Sequence, residues 1–257
     1  MRATAPLGRM LAAQTRAELR LRWRVPAFGL TTLALPAVFF AFFGLPVARA
    51  AGPDGGHVGA LLLASFGAFA VGSVMVYAFG VGVAVERGLK VDRLLRATPL
   101  PLAVLLAAKG LAALAFALLA LGVLLGVGVL VGGVAEPPAV WAALVARLLA
   151  GSVPFAGLGF AIGYAAGPQA APALANLIYL PLAFASGLFT PPGRLPRFLQ
   201  VVAPYLPTYH YGQLAWGALG AASEPWGASV AWLAGYTVVF FALAAHAYRR
   251  EQARKFG

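Results

Sequence analysis

From Leu102 to Val131 the chain carries a single ionisable side chain, Lys109. At ~1.5 Å of rise per residue, such a run crosses the ~30 Å hydrocarbon layer of a bilayer as a helix. The same character recurs in Pro26–Pro46, Val58–Val85, Val140–Gly167, Ala171–Phe189 and Trp226–Tyr248. The chain is therefore predicted to be an all-α polytopic membrane protein with six transmembrane helices. Hydrophobic residues make up 61% of it and the mean hydropathy is +0.86, which leaves no polar stretch to build a water-soluble core. Residues 1–257 read as one transmembrane domain. Cysteine is absent, so disulfides and thiolate metal sites are excluded. His57 has no set of ligands near it in sequence, and no metal site is expected.

Charge decides orientation. Six Lys/Arg precede the first span, four lie between the second and third, and four follow the sixth. With Lys109 snorkelling to the same surface, fifteen basic residues stand on one side; Arg49, Arg194 and Arg197 stand on the other, with Arg147 set aside. Cytoplasmic loops carry the Lys/Arg excess, so both termini are expected in the cytoplasm and the chain in the cell's inner (plasma) membrane. The net charge of +12 then reflects topology and anionic lipid headgroups, and no nucleic-acid partner is expected.

Two basic stretches flank the first two spans. In residues 1–25, Arg9, Arg16, Arg20 and Arg24 form a stripe on one helical face, while Leu7, Met10, Leu11 and Leu21 supply apolar contact. An interfacial amphipathic helix is predicted there, in contact with membrane lipid or with a partner. Residues 86–101, ERGLKVDRLLRATPLP, hold six ionisable side chains. Val91, Leu94, Leu95 and Thr98 fall on one face at helical spacing, and Glu86→Lys90 and Asp92→Arg96 are acid-before-base pairs four apart. Pro99 and Pro101 stop the helix. The segment reads either as a short helix gripped by something outside the membrane or as a charged loop that only sets topology.

On the opposite side, residues 186–219 contain five prolines together with Phe198, Tyr205, Tyr209, Tyr211 and Trp216. Short broken helices at headgroup level suit that composition. Arg147 lies roughly 10 Å past Val140 along the fourth span. Its stem either snorkels to the outer headgroups or presents the charge to a vestibule.

Several chemistries find no support. The sequence holds no G-x-x-x-x-G-K-[ST] loop for ATP, and none of its seven acidic residues stands clearly inside a span to relay protons. Ser186 with His210 or His246 is the sole candidate for serine chemistry, and FASGLF lacks the small residue two places before the serine that intramembrane proteases show. The two three-span halves show no correspondence of the kind secondary transporters carry.

The residues that carry a resemblance are the arginine-rich start leading to RWRVPAFGLTTLALPAVFFAFFG, then ERGLKVDRLLRATPLP followed by Lys109-Gly110. VPFAGLGFAIG in the fourth span and SGLFTPPGRLPRFLQVVAPYLPTYHYGQLA after the fifth complete the set. In that order and spacing the chain resembles the type-2 ABC exporter permeases, the membrane subunits of bacterial ATP-driven efflux pumps. The resemblance covers nearly the whole chain. It implies an N-terminal elbow helix and a cytoplasmic coupling helix that contact a separate ATP-binding cassette subunit. It also implies a second permease chain in a homo- or heterodimer and re-entrant outer helices between spans five and six. Carried over, Glu86, Arg87, Gly88 and Leu89, with Leu94 and Thr98, take the coupling role. Family members often show two acidic residues around the arginine that opens this loop, whereas here Glu86 alone precedes Arg87 and Gly88 follows. ATP and Mg would be bound by the partner, leaving this chain without a cofactor or a catalytic site of its own. Arg147, Asn176 and Tyr179 are candidates for the path of a hydrophobic or amphiphilic substrate. The alternative is a channel or secondary transporter, and behind it an intramembrane enzyme.

Overall fold

A computed structural model describes residues 6–23, 30–50, 55–91 and 100–256. Among these the chain is helical throughout, with no strand. Helix α1 is Leu7–Trp23. The first apolar run is irregular: wide π turns at Leu30–Ala34 and Phe40–Gly44 alternate with α2, Leu35–Phe39, and α3, Leu45–Ala50. Each π stretch directly precedes a proline-bearing turn, Pro36 in α2 and Pro46 in α3. A proline ring would collide with the carbonyl four residues back, and a wider turn moves that carbonyl away. This run extends past its expected end at Pro46 to Ala50, so Arg49 lies on the helix and not in a loop; its guanidinium donates to the Val131 carbonyl at 3.5 Å.

Helix α4, Gly55–Phe79, breaks briefly at Gly80 and continues as α5, Val81–Gly88. Helix α6 is Leu102–Leu130. The next run is split into α7, Pro138–Gly151, and α8, Val153–Ala165. The split falls at Ser152, where Pro154 in the first turn of α8 cannot supply the next intrahelical bond. Helix α9 is Ala171–Ala185, with Pro181 inside it. The outer segment folds into a 3-10 turn, Pro192–Arg194, α10, Arg197–Val202, a second 3-10 turn, Ala203–Tyr205, and α11, Pro207–Gly217. Helix α12, Trp226–Phe256, carries the last run and the basic tail in one rod.

Among the described residues five helices are long and apolar enough to cross a membrane: Thr32–Ala50, Gly56–Gly88, Leu102–Leu130, Pro138–Ala165 and Trp226–Ala253. The chain is a multi-pass membrane protein. The expected fifth span, Ala171–Phe189, is a 15-residue helix, shorter than the others.

Gly56–Gly88 is the most enclosed helix and packs against α6 and α8, while α12 lies along α8 and α11 with Val238, Val239 and Leu243 facing outward. A column of rings fills the centre. Phe189 meets Phe69 at 4.8 Å between centroids, Phe69 stacks on Tyr179 at 5.7 Å, and Phe155 bridges Tyr179 and Tyr211 at 5.6 and 4.9 Å. Where the end of α4 and Gly80 meet α8, the backbones themselves come close. A Cβ built on Gly163 would stand 2.8 Å from the Gly80 and Phe79 carbonyl oxygens, and one on Gly159 2.9 Å from that of Val76. Only glycine lets two backbones come this close.

Candidate functional site

The ends of α1, α5, α6, α8 and α12 converge, and their charges pair across the chain. Lys109 is the centre. Its Nζ donates to Glu18 Oε1 of α1 at 2.8 Å and also to Glu86 Oε1 of α5. Arg22 lies 3.6 Å from the second oxygen of Glu18, and its other amino group donates to the Lys109 carbonyl at 3.4 Å. The side chains of Glu18, Arg22 and Lys109 are 5–7% exposed and that of Glu86 15%. Two acids and two bases thus balance in a site nearly closed to water. Burial pulls the Arg22 guanidinium below its ordinary value while Glu18 and Glu86 push it back up, so it is the carboxylates, in place of solvent, that favour its charge.

This arrangement corrects two expectations. Lys109 does not snorkel to the surface; the carboxylates come to it. Nor does Glu86 pair with Lys90 in a continuing helix. Lys90 has φ of +55°, a left-handed residue that ends α5 at Gly88 and turns away exposed. A buried ammonium without a counter-ion is far more costly than an exposed one, so Lys109 is the cation that takes Glu86.

Arg87, one residue on, points to the other side of α5. Its Nη2 meets Glu251 Oε1 of α12 at 2.7 Å, and its Nη1 donates to the carbonyls of Gly163 and, at 3.3 Å, Ala166. The guanidinium lies over the Tyr164 ring, 5.5 Å from its centre. Charge-assisted hydrogen bonds contribute roughly 1.5–3 kcal/mol each. Arg87→Glu is therefore expected to release the end of α12, and adding Glu251→Arg to recover part of the loss. Limited proteolysis after residue 245 reads this, with cleavage fast in the single variant and slowed in the double.

Gly88 approaches the loop between α8 and α9 so closely that a Cβ would fall 2.5 Å from Pro168 Cγ. Leu89 is 66% exposed, an apolar side chain left uncovered beside the charged cluster. Leu94 and Thr98 lie outside the described residues, as does Arg24. Arg9, Arg16 and Arg20 are exposed on α1, which packs against α6.

The three candidates for a substrate path are not brought together. The Arg147 amino group sits against Gly217 at the end of α11, 2.7 Å from where a Cβ would be. Asn176 is exposed on α9. Tyr179 is enclosed in the ring column, its hydroxyl donating to the Ala68 and Phe69 carbonyls at 3.3 and 3.2 Å. Ser186 donates to the Ala183 carbonyl at 3.1 Å, and His210 donates from Nε2 to the Pro204 carbonyl at 2.8 Å. Among the described residues no group of three or more His, Cys, Asp or Glu is placed to hold a metal ion.

Glu18 and Glu251 escaped the sequence reading. Glu18 sits among the four arginines of α1 and Glu251 among the basic residues of the tail, and in both places the basic residues set the pattern. The available signal was a lone acid in a basic stretch together with a lone lysine in an apolar span.

Comparison with known proteins bears on the whole chain. The profile of ABC-2 type transporters matches residues 10–218. The chain is 28% identical over 244 residues to the Bacillus subtilis (strain 168) protein named "Putative transport permease YvfS", covering 95% of this chain and 99% of that one.

Proposed function

Since the chain belongs to the ABC-2 type transporter family, we propose that it is the membrane permease of an exporter powered by a separate ATP-binding cassette subunit, moving a hydrophobic or amphiphilic substrate out of the cytoplasm or inner leaflet. The observation that carries the reading is the ionic cluster. It ties α1, the end of α5, the start of α6 and the end of α12 into one unit that leaves Leu89 uncovered. A subunit closing on ATP and pressing on residues 86–101 would move α5 together with everything Glu86 and Arg87 hold. Of the coupling residues, Leu89 and Gly88 would meet the partner, along with Leu94 and Thr98, and Glu86 and Arg87 would pass the motion inward. ATP and Mg belong to the partner in this scheme. The permease works as a dimer with a second chain, and its two states are biased by the differential affinity of ATP for them.

Six crossings with both termini cytoplasmic agree with this role. Arg87 binds Gly163 at the end of α8 and Glu251 at the end of α12. Residues 171–225 must therefore return the chain to the opposite end before α12 begins. Helix α9 with the outer segment supplies that passage. Thr208 donates to the Leu182 carbonyl at 2.8 Å and Tyr211 to that of Leu148 at 2.7 Å, which supports reading α11 as re-entrant. The fifteen-to-three division of basic residues supports the cytoplasmic assignment of the cluster end.

Co-expression with a nucleotide-binding subunit tests the proposal in inverted vesicles. ATP-driven uptake of substrate is expected only with both subunits present. Leu89→Asp should weaken their association by about 2–4 kcal/mol, the range for a desolvated interface anchor, while the chain still inserts. ATP turnover by the purified chain alone, or pull-down of the partner unchanged by Leu89→Asp, would overturn it.

A further inference from the structure

A cavity of about 750 Å³ opens at the end of the bundle opposite the ionic cluster, between α3, the first turns of α4 and the outer segment. Its volume falls in the ~300–1,000 Å³ range of sites that enclose most of a small ligand. Along α4 it runs from Val58 to Ser65, about 10 Å of helix. The walls are apolar, with Leu61 and Leu62 facing Leu188 and Phe189. Few polar side chains reach it, and apart from Thr190 the uncharged ones are paired. Trp216 Nε1 donates to Ser65 Oγ at 2.8 Å, and Gln213 holds Ser223 through two bonds of 2.7 and 2.9 Å. The one charged lining group is Arg194, exposed at the mouth and with no side-chain hydrogen bond or ion pair among the described residues.

We propose that this cavity binds a single-chain anionic amphiphile, its acyl chain along Leu61, Leu62 and Phe189 and its carboxylate or phosphate head on Arg194. The division of chemistry selects the class. A polar ligand would find few polar side chains inside, because Trp216 is paired with Ser65 and Gln213 with Ser223, which leaves mainly the Thr190 hydroxyl. A neutral hydrocarbon would leave the guanidinium unused, and a cationic amphiphile would be repelled at the entrance. An acid with an apolar tail satisfies both ends. The cavity lies within this chain and involves neither the ionic cluster nor ATP. It deepens the exporter reading by placing an acyl-chain site on the outer half of the permease.

The test uses the full chain in phosphatidylcholine nanodiscs and a diazirine-bearing palmitate, with the matching alcohol as the uncharged probe. Saturable photolabelling of peptides covering 58–65 and 187–192 is expected. Arg194→Glu should weaken palmitate labelling at least five-fold and leave the alcohol unchanged. Leu62→Trp should suppress both by filling the space. Displacement by free palmitate alone identifies a fatty acid as the source, whereas displacement by lysophosphatidylglycerol added to the disc identifies a single-chain phospholipid; either supports the site. Labelling that does not saturate and spreads over Trp226–Phe256, or that is indifferent to Arg194→Glu, overturns it. Because binding needs no partner, a failure here with ATP-driven export intact is distinguishable from binding that persists when export fails.

Discussion

Lys109→Met is expected to cost the folded chain about 3–5 kcal/mol, the magnitude for removing one partner from a buried ionic group. The methionine fills most of the same volume, so the loss is electrostatic. Glu18 and Glu86 would then lie beside the same vacated position with only Arg22 near, and Arg22 reaches Glu18 at 3.6 Å. Two carboxylates removed from water with only the Arg22 guanidinium to share are left with one charge in excess, and one of them must take up a proton to remain. Adding Glu86→Gln to Lys109→Met should restore most of the stability, because the neutral amide removes the excess charge while Glu18 keeps its pairing with Arg22. Thermal unfolding of the detergent-purified chain, followed by size-exclusion of the surviving fraction, separates these outcomes. A single variant as stable as the parent would mean that the cluster contributes nothing to holding α1 against α5 and α6. Export should fail in the double variant even where folding recovers, if the charges also transmit motion from residues 86–101.

Gly163→Leu should be nearly as damaging for a different reason. Its Cβ would meet the Gly80 and Phe79 carbonyl oxygens at 2.8 Å and Val83 Cβ at 3.1 Å. Overpacking a core costs typically about 1–3 kcal/mol when neighbouring side chains can shift. Here two of the three atoms are backbone of a helix already at closest approach, so the upper end of that range or more is expected. Separating α5 from α8 would also withdraw the Gly163 carbonyl from Arg87 and loosen the link to Glu251. Gly235→Leu is the matched control, since nothing lies within 4 Å of a Cβ there and the same residue is added to another apolar helix. Expression level and thermal stability should fall steeply for the first and remain at the parental value for the second. Equal behaviour of the two would show that the glycine contact between the α4–α5 break and α8 is dispensable.

How much of this was legible beforehand depends on whether the controlling physics is local. Transfer of a run such as Leu102–Leu130 into lipid depends on its own side chains, and the run appears as a helix with the predicted start. The basic character of the segments at one end is likewise a property of each segment. The π turns before Pro36 and Pro46 were not foreseen, because relief of a proline clash depends on how the surrounding helices allow the turn to widen. The shortness of α9 was also missed. Hydropathy continues through Leu188 and Phe189, but Gly187 takes a φ of +87° and turns the chain beneath Pro192.

The sequence by itself determined that this chain is helical, that it lies in a membrane and which segments are charged, since apolar length, proline placement and charge are written residue by residue. Only the tertiary structure decided the partners of those charges. Glu86 has Lys90 four residues away and Lys109 twenty-three away, and it is the distant one that it holds. Glu18 finds Lys109 across 91 residues, and Arg87 finds Glu251 at the far end of the chain. The physical reason is desolvation: a charge in water gains little from a neighbour, whereas one enclosed between helices must be met by whatever opposite charge the packing brings. Which groups become enclosed is set by how α1, α5, α6 and α12 pack, and the backbone contact of Gly80 with Gly159 and Gly163 helps to set that packing.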